Sequence, residues 1–246
     1  MISALKEQLA IDANCEKEDF DKRNNRVKIL CHNHLKRRNI SSDLLLFMAC
    51  FGNGTVAAVD KELEAFMTKY IENMDGFRCF DIPLHTLENE LRKYGGIISE
   101  IEEFYLLNEN EICRVIPAFD IEILEGAAIK KLYHDPRFHM AMGYTQDSDR
   151  RDMLAVAAYE NEEILGVAAA SNDTDHIWQI GVDVVPEKQR QHVATDIVKI
   201  ISNEVLKRNK IPYYGTAWSN IASKRVAINA GYRPAWVEMK AMKNPM

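Results

Sequence analysis

The chain has 246 residues, of which 47% are hydrophobic, 28% charged and 9% aromatic, and 31 Lys and Arg against 37 Asp and Glu give a formal net charge of -6. A chain of this length forms one large domain or two small ones and buries a core without disulfides or metal ions. The acidic balance argues against a general nucleic-acid binder, although a local basic groove is compatible with it. The longest apolar run, Leu44–Phe51, is far shorter than the roughly 20 residues that span a bilayer.

The five cysteines are scattered without a Cys-x-x-Cys motif, and no apolar stretch follows Lys6 and Glu7 near the N-terminus. Scattered cysteines in odd number predict reduced thiols, and the N-terminal composition predicts no secretory signal. Residues 31–34, with the sequence Cys-His-Asn-His, lack a second pair at ligand spacing, so we expect no metal site there. We therefore expect a soluble, mildly acidic, cytoplasmic protein.

The N-terminal half predicts both helices and strands. Ile2–Ala10 and Val27–Arg38 mix apolar with charged residues and predict helices. Leu44–Phe51 and Thr55–Val59 are β-prone runs separated by Gly52-Asn53-Gly54, which predicts a hairpin because Asn and Gly accept positive φ at low cost. The alternative, a phosphate-binding glycine loop, would precede a helix rather than a strand.

Further along, Asp60 stands where a helix N-cap is expected, before apolar residues at helical spacing. Leu84–Tyr94 predicts a second helix that ends at Gly95-Gly96, and Ile112–Ile116 predicts a strand. The polar stretch Asn108–Glu111 has the composition of a linker. We therefore expect a domain boundary there.

The second half alternates strands and helices. Met153–Tyr159 and Ile164–Ala170 predict a hairpin, and Ile177–Val185 predicts a third strand that ends at Pro186. An amphipathic helix follows, with its apolar stripe at Ala194, Ile197, Val198, Ile201 and Val205. The remaining predictions are a strand at 212–218, a short helix capped by Ser219 or Asn220 and ending at Gly231, and a last strand at Ala235–Met239.

The segment from Val182 to Thr195 carries the clearest chemical signal, because it joins a strand, a tight loop and a helix N-terminus. Free backbone N–H groups at such a turn converge on an anion, and the helix dipole favours negative charge there. Lys188 and Arg190 add positive charge. The alternative is an ordinary strand-to-helix connection with a solvated basic turn.

The order of these pieces resembles the GNAT superfamily of acyl-CoA-dependent N-acetyltransferases. Val184–Pro186 followed by Gln189–Ala194 is similar to the family's Val-x-Pro and Gln/Arg-x-x-Gly-x-Gly/Ala motifs. Asn220–Ser223, with Gly231-Tyr232 after the helix, is similar to its second motif, Asn-x-x-Ala/Ser followed by Gly-Phe/Tyr. The resemblance implies acetyl transfer from acetyl-CoA, used as a co-substrate, to an amine.

A bacterial two-part subgroup of GNAT acetyltransferases is more similar still. The similar stretches are Trp178–Val184, Lys210–Thr216, Ser219–Ser223, Pro234–Trp236 and, in the N-terminal half, Phe51–Gly54. The resemblance implies an α/β fold in which helices flank a mixed, mainly antiparallel GNAT sheet, with an N-terminal α/β portion. It implies two domains, residues 1–112 without an assigned role and residues 113–246 with the acyl-CoA site.

In such proteins the loop amides hold the pyrophosphate of acetyl-CoA and the preceding strand pairs with the pantetheine. An asparagine approaches the pantetheine from the other side. The residues that the resemblance places at the co-substrate are Val182, Asp183, Val184, Arg190, Gln191, His192, Val193, Ala194, Thr195 and Asn220. His192 replaces the family's glycine, and we expect it to have helical dihedrals, because a positive φ would damage the cradle of loop amides that holds the pyrophosphate.

The catalytic groups are less well defined by the resemblance. Many relatives use a Tyr as the acid at the position of Ala227, so Ser223 is a weak candidate acid, although it also completes the first helical turn. Relatives often place the base near Trp178 or Ile180, which cannot take a proton. Asp183 is a weak candidate base, although alternation turns it to the opposite strand face from its neighbours.

Two other groups of residues each have two possible interpretations. Asp173, Asp175 and His176 are either solvated turn residues or members of a water relay to the base. The aromatic residues Tyr213, Tyr214, Trp218 and Trp236 either line an acceptor pocket or belong to the core. The sequence does not choose between these interpretations.

The expected function is direct attack of an amine on acetyl-CoA in a ternary complex, because the nearest cysteine in sequence, Cys113, stands at the start of the domain. The acceptor is a small molecule or a protein, and we expect no nucleic acid or membrane partner; a homodimer is compatible. The alternative is a non-catalytic acyl-CoA-binding or sensing module, favoured by the missing acid and base. A nucleotide-phosphate binder unrelated to CoA lacks a Gly-Lys-Ser/Thr motif.

Overall fold

The computed structural model describes residues 1–80, 84–111, 115–143 and 148–243. The helices are α1 (Ile2–Ala13), α2 (Glu64–Ile71), α3 (Leu84–Lys93), α4 (Val193–Lys207) and α5 (Ile221–Asn229). The strands are β1 (Arg26–Ile29), β2 (Leu44–Cys50), β3 (Thr55–Val59), β4 (Gly96–Leu107), β5 (Asp120–Glu125), β6 (Asp152–Glu160), β7 (Glu163–Asn172), β8 (Ile177–Val184), β9 (Ile211–Ala217) and β10 (Tyr232–Lys243). Within the described ranges, no helix combines the length and apolar character needed to cross a membrane.

The chain forms two compact units, one of Met1–Phe104 with Ala235–Met246 and one of Tyr105–Pro234. The predicted division between residues 112 and 113 falls outside the described residues, as do Cys113 and most of the predicted strand at 112–116.

The first unit contains a sheet in the order β1-β3-β2-β10-β4. β1 is parallel to β3, whereas β2 is antiparallel to β3 and to β10. The predicted hairpin between β2 and β3 is confirmed, and Gly52 has the positive φ of 88° that glycine adopts without steric cost. The core lies between the sheet and the helices α2 and α3, which contribute Met67, Leu87 and Leu91 to it.

The predicted helix at Val27–Arg38 is wrong. Its first residues form β1, in which Val27 and Ile29 pack against the core while Arg26 and Lys28 reach the carboxylate of Asp19. This alternation has the period of two that a strand requires, and pairing with β3 outweighs the weak helical pattern. The strands β4 and β5 were not predicted from the sequence.

The second unit contains a sheet in the order β9-β8-β7-β6-β5. β5, β6, β7 and β8 are antiparallel neighbours, and β8 is parallel to β9. α4 packs on one face of this sheet, and the 3-10 turns at Gly126–Leu132 and Pro136–Phe138 cover the core on the other. The predicted fold class, a mixed, mainly antiparallel sheet flanked by helices together with an N-terminal α/β portion, is confirmed.

A buried carboxylate anchors the N-terminal segment of the first unit. Asp19 is only 3% exposed and forms ion pairs with Lys22 at 2.7 Å, Lys28 at 2.9 Å and Arg26 at 3.3 Å. Burial alone would raise the pKa of Asp19, but the hydrogen bonds from Lys22 and Lys28 and the N–H of Glu16 outweigh it and bring the pKa down to about 2. The ionised carboxylate therefore stabilises the folded unit.

We predict that Asp19→Asn lowers the free energy of unfolding at pH 7 by about 2 kcal/mol. Because the folded pKa lies below the unfolded value near 4, the contribution of Asp19 is complete above about pH 4 and disappears as the pH falls towards about 2. Urea unfolding at pH 7 and at pH 3 measures this loss. The control Asp21→Asn removes an exposed pair with Lys6 and should cost less than about 1 kcal/mol. A cost for Asp19→Asn that is equal at both pH values would contradict the prediction.

Candidate functional site

The strands β8 and β9 separate part of the way along their length. Their parallel register runs from Ile177 opposite Ile211 to Ile180 opposite Tyr214, although β8 continues to Val184 and β9 to Ala217. All residues of both strands belong to the described part of the chain, so the recorded pairing ends at Ile180. We call the opening between residues 181–184 and 215–217 the strand fork.

The two faces of the strand fork have different neighbours. Val184 lies opposite Gly166 on β7. A Cβ atom added to Gly166 would lie 3.4 Å from the Cδ1 of Ile197 on α4, so this pair of residues faces α4. A Cβ on Gly181 would instead lie 2.9 Å from the carbonyl oxygen of Met140. Because side chains alternate along a strand, residues 180, 182 and 184 point to the side of α4 and residues 179, 181 and 183 to the side of segment 138–142. We call these sides the helix face and the loop face.

The turn after β8 presents free amides at the N-terminus of α4. His192 is the N-cap without a side-chain cap, and the first intrahelical bond runs from the N–H of Asp196 to the carbonyl of His192 at 2.9 Å. The N–H groups of Val193, Ala194 and Thr195 therefore precede the first intrahelical acceptor, and no acceptor for them is recorded in the described part of the chain. This is the arrangement that binds an anion at a helix N-terminus.

The expectation that His192 has helical dihedrals is wrong. His192 has a φ of 65° and Arg190 a φ of 63°, so two left-handed residues reverse the chain between β8 and α4. Histidine is among the residues that tolerate this region, and alternating hands of the backbone form a concave nest of N–H groups. The positive φ therefore leaves the amides of the cradle available, at the cost of local strain.

The charge at the cradle differs from the expectation. Lys188 is paired with Glu160 at 2.5 Å, so its charge is shared with a carboxylate. Arg190 is exposed, and among the described residues no partner is recorded for its guanidinium. Asp196 lies in the first turn of α4, and its burial raises its pKa while Lys199 and His192 lower it. Arg190 and the helix dipole therefore supply the positive potential.

Asp183, a weak catalytic candidate, and Asn220, a residue predicted to contact the co-substrate, both have structural partners. The Oδ2 atom of Asp183 accepts hydrogen bonds from the N–H groups of Met140 and Ala141, both at 2.8 Å. Asn220 caps α5, since its Oδ1 accepts from the N–H of Ser223 at 3.1 Å. Asp183 thus holds the segment on the loop face rather than presenting a free base.

A hydroxyl pair that was not predicted from the sequence lies on the helix face. The hydroxyl of Tyr214 and the Oγ of Ser223 are 2.9 Å apart, and Tyr214 is the last residue of β9 that pairs with β8. Burial raises the pKa of the Tyr214 hydroxyl, the hydrogen bond with Ser223 lowers it, and the charge of Asp183 raises it. The net shift is upward, so this hydroxyl is protonated at neutral pH. The sequence offered no signal for this pairing, because it depends on the register between β8 and β9.

The loop face carries a second polar group. Asp173 is fully buried, forms an ion pair with Arg150 and accepts a hydrogen bond from the hydroxyl of Tyr213. The interpretation of Asp173 as a solvated turn residue is therefore wrong. Of the predicted aromatic residues, Tyr213 and Tyr214 are buried, and Trp218 is 52% exposed at the end of β9. Trp236 belongs to the first unit, where it stacks on Phe104 at 4.7 Å.

The described part of the chain contains no cluster of potential metal ligands. Among residues 1–80, 84–111, 115–143 and 148–243, no group of three or more His, Cys, Asp or Glu could hold a metal ion.

No family model matches the chain, and no curated protein matches it. Solved structures with a similar arrangement include a GCN5-related N-acetyltransferase from Kribbella flavida, 12% identical with a TM-score of 0.48 over 80% of this chain and 83% of that one. A GCN5-related N-acetyltransferase-like protein from Streptococcus suis is 12% identical, with a TM-score of 0.48 over 83% of this chain and 85% of that one. An acetyltransferase of the GNAT family from Colwellia psychrerythraea is 10% identical, with a TM-score of 0.44 over 60% and 57%. Because these TM-scores are below 0.5, the functional proposal below rests on the residues of this chain.

We predict that His192→Gly stabilises the protein by about 0.5–1 kcal/mol, because glycine adopts a positive φ without the strain of a side chain. The matched control is Gln191→Gly at the neighbouring position, which is not among the residues with positive φ and should lose about 0.5–1 kcal/mol. Urea unfolding of both variants measures the difference. Equal effects of the two substitutions would show that the turn at residue 192 is not strained.

Proposed function

We propose that the chain is an acyl-CoA-dependent N-acetyltransferase of the GNAT superfamily, which moves an acetyl group from acetyl-CoA to an amine. The observation that carries the proposal is the position of the strand fork. β8 leaves β9 after Ile180, and beyond its end the 3-10 turn at Pro186–Lys188 leads into the amide cradle at residues 190–195. A ligand with an anionic group and an extended arm therefore has its two binding elements on consecutive segments.

Acetyl-CoA fits these two elements in one orientation. Its pyrophosphate would accept hydrogen bonds from the amides of residues 190–195, with Arg190 adding charge. Its pantetheine arm would follow residues 182–184, whose edge towards β9 has no strand partner in the described register. Asn220, which uses its Oδ1 as a helix cap, would approach the arm with its amide nitrogen. The acetyl group then lies near the closed end of the strand fork.

The reaction needs a proton for the departing thiolate. The amine nitrogen attacks the thioester carbonyl carbon, the C–S bond breaks, and the amine proton leaves to water. Ala227, at the position where relatives carry a tyrosine, is buried and has no proton to give. The hydroxyl pair of Tyr214 and Ser223 lies at the end of the strand pairing, and we propose that it protonates the thiolate and then regains a proton from water.

One observation favours the alternative of a non-catalytic acyl-CoA-binding or sensing module. The carboxylate of Asp183 accepts two backbone N–H groups, and Trp178 and Ile180, at the positions where relatives often carry the base, cannot act as one. An amine that arrives already deprotonated, or that loses its proton to water, needs no such base. We propose a small-molecule or protein amine as the acceptor, and a cytoplasmic location because Cys15, Cys31 and Cys50 are free thiols.

The direct test combines binding with turnover. The full chain is titrated with acetyl-CoA by calorimetry, and release of the CoA thiol is followed with a panel of primary amines. Binding together with thiol release for at least one amine supports the transferase. Binding without release for any amine supports the sensing module, and the absence of binding contradicts both.

We predict that Ala194→Glu weakens acetyl-CoA binding by at least about 100-fold, because a carboxylate in the amide cradle repels the pyrophosphate. The control Asn209→Asp adds the same charge at the exposed end beyond α4 and should leave the affinity within about 2-fold. Calorimetric titration of the two variants with acetyl-CoA measures both affinities. An unchanged affinity in folded Ala194→Glu would place the co-substrate elsewhere.

We predict that Tyr214→Phe lowers kcat by about 100-fold and leaves the Kd for acetyl-CoA nearly unchanged, because the hydroxyl acts only when the thiolate departs. The matched control is Tyr232→Phe, which also removes a buried hydroxyl, here bonded to Ser202 at 2.7 Å. Its kcat should stay within about 3-fold of the parent value. Equal losses in the two variants would mean that Tyr214 acts through packing alone.

A further inference from the structure

A polar network lies on the loop face beside the last paired residues of β8 and β9. Asp173 and Tyr213 are both fully buried, and Arg150 is 9% exposed. The carboxylate of Asp173 is paired with the guanidinium of Arg150 and accepts the hydroxyl hydrogen of Tyr213. The network thus joins the segment before β6, the turn after β7 and the strand β9.

The network also fixes the side-chain amide of Gln179. The Nη2 of Arg150 donates to the Oε1 of Gln179 at 2.5 Å, and the Tyr213 hydroxyl lies 3.2 Å from the same oxygen. A guanidinium has only donors, so the atom that faces it must be the carbonyl oxygen of the amide. The amide nitrogen of Gln179 therefore points away from the network.

The two N–H groups of this nitrogen are unused within the described part of the chain. No acceptor for the Nε2 of Gln179 is recorded there, and Gln179 is only half-buried. A donor whose own oxygen is held by a buried ion pair has a fixed direction before any ligand binds, which is the property of a preorganised site. A buried ion pair adds little net stability compared with apolar packing, so its value here lies in geometry.

The position of Gln179 relates it to the acceptor rather than to acetyl-CoA. Gln179 pairs with Tyr213, one residue before the strand fork opens. Its side chain belongs to the loop face, whereas the amide cradle and the hydroxyl pair belong to α4 and α5 on the helix face. An acceptor amine that reaches the acetyl group from the opposite side to the co-substrate therefore passes the Nε2 of Gln179.

We propose that the Nε2 of Gln179 donates a hydrogen bond to an oxygen that the acceptor carries beside its amino group. The acceptor class is then an amine with an adjacent carbonyl oxygen, as in an α-amino acid derivative or the free N-terminus of a peptide. This inference rests on the proposed acetyltransferase function and adds the class of its second substrate.

The experiment compares two amines of the same shape, alaninamide and isopropylamine, of which only alaninamide has the adjacent carbonyl. The full chain should have at least a 10-fold higher kcat/KM for alaninamide. Gln179→Ala and the isosteric Gln179→Glu should each lower kcat/KM for alaninamide by about 10-fold and leave isopropylamine within about 2-fold. The Kd for acetyl-CoA should be unchanged. Comparing the ratio of the two amines between variants cancels the difference in amine basicity.

Two further measurements complete the experiment, a control variant and a peptide substrate. Asn161→Asp makes the same amide-to-carboxylate change in the exposed turn between β6 and β7, and it should not alter the ratio. A peptide with an N-terminal alanine, tested beside alaninamide, distinguishes a peptide acceptor from a small one. A ratio that is the same in the parent chain and in both Gln179 variants overturns the inference and leaves the acetyltransferase standing. Acetyl-CoA binding without turnover of any amine overturns both.

Discussion

The end of the β8–β9 pairing is the feature on which the proposed site depends. Four register pairs hold the two strands together, and beyond Ile180 the backbone of β8 has β7 on one side and no strand on the other in the described register. Backbone N–H and C=O groups left without partners are costly unless water or a ligand satisfies them. The strand fork is therefore both an energetic liability of the sheet and a template for an extended ligand.

The outer half of β8 keeps its position because the loop face holds it. The carboxylate of Asp183 accepts two N–H groups of segment 138–142, and Gly181 leaves room for the same segment. Any side chain at residue 181 would collide with the backbone of Met140. Asp183, which resembles a catalytic carboxylate in the sequence, thus contributes by keeping β8 in place while it leaves β9.

The two faces of the strand fork divide the chemistry between them. The helix face carries the free amides at the start of α4 and the Tyr214–Ser223 pair, which the proposed reaction uses as anion site and proton donor. On the loop face, the ion pair of Arg150 and Asp173 orients Gln179. Strain at Arg190 and His192, both with positive φ, is confined to the turn that delivers the amides.

Local patterns in the sequence determined much of the fold. Continuous apolar, β-prone runs predicted β2, β3, β6, β7 and β8, and spacing with caps predicted α4 and α5, because these signals act between near neighbours. The order of those elements also predicted the amide cradle. Tertiary structure decided what depends on distant partners: β1 became a strand by pairing with β3, and Asp173 was buried by Arg150 and Tyr213. It also decided the positive φ of His192, which depends on the path of the turn between β8 and α4, and the contact of Tyr214 with Ser223, which depends on how β9 and α5 pack. No local pattern encodes either.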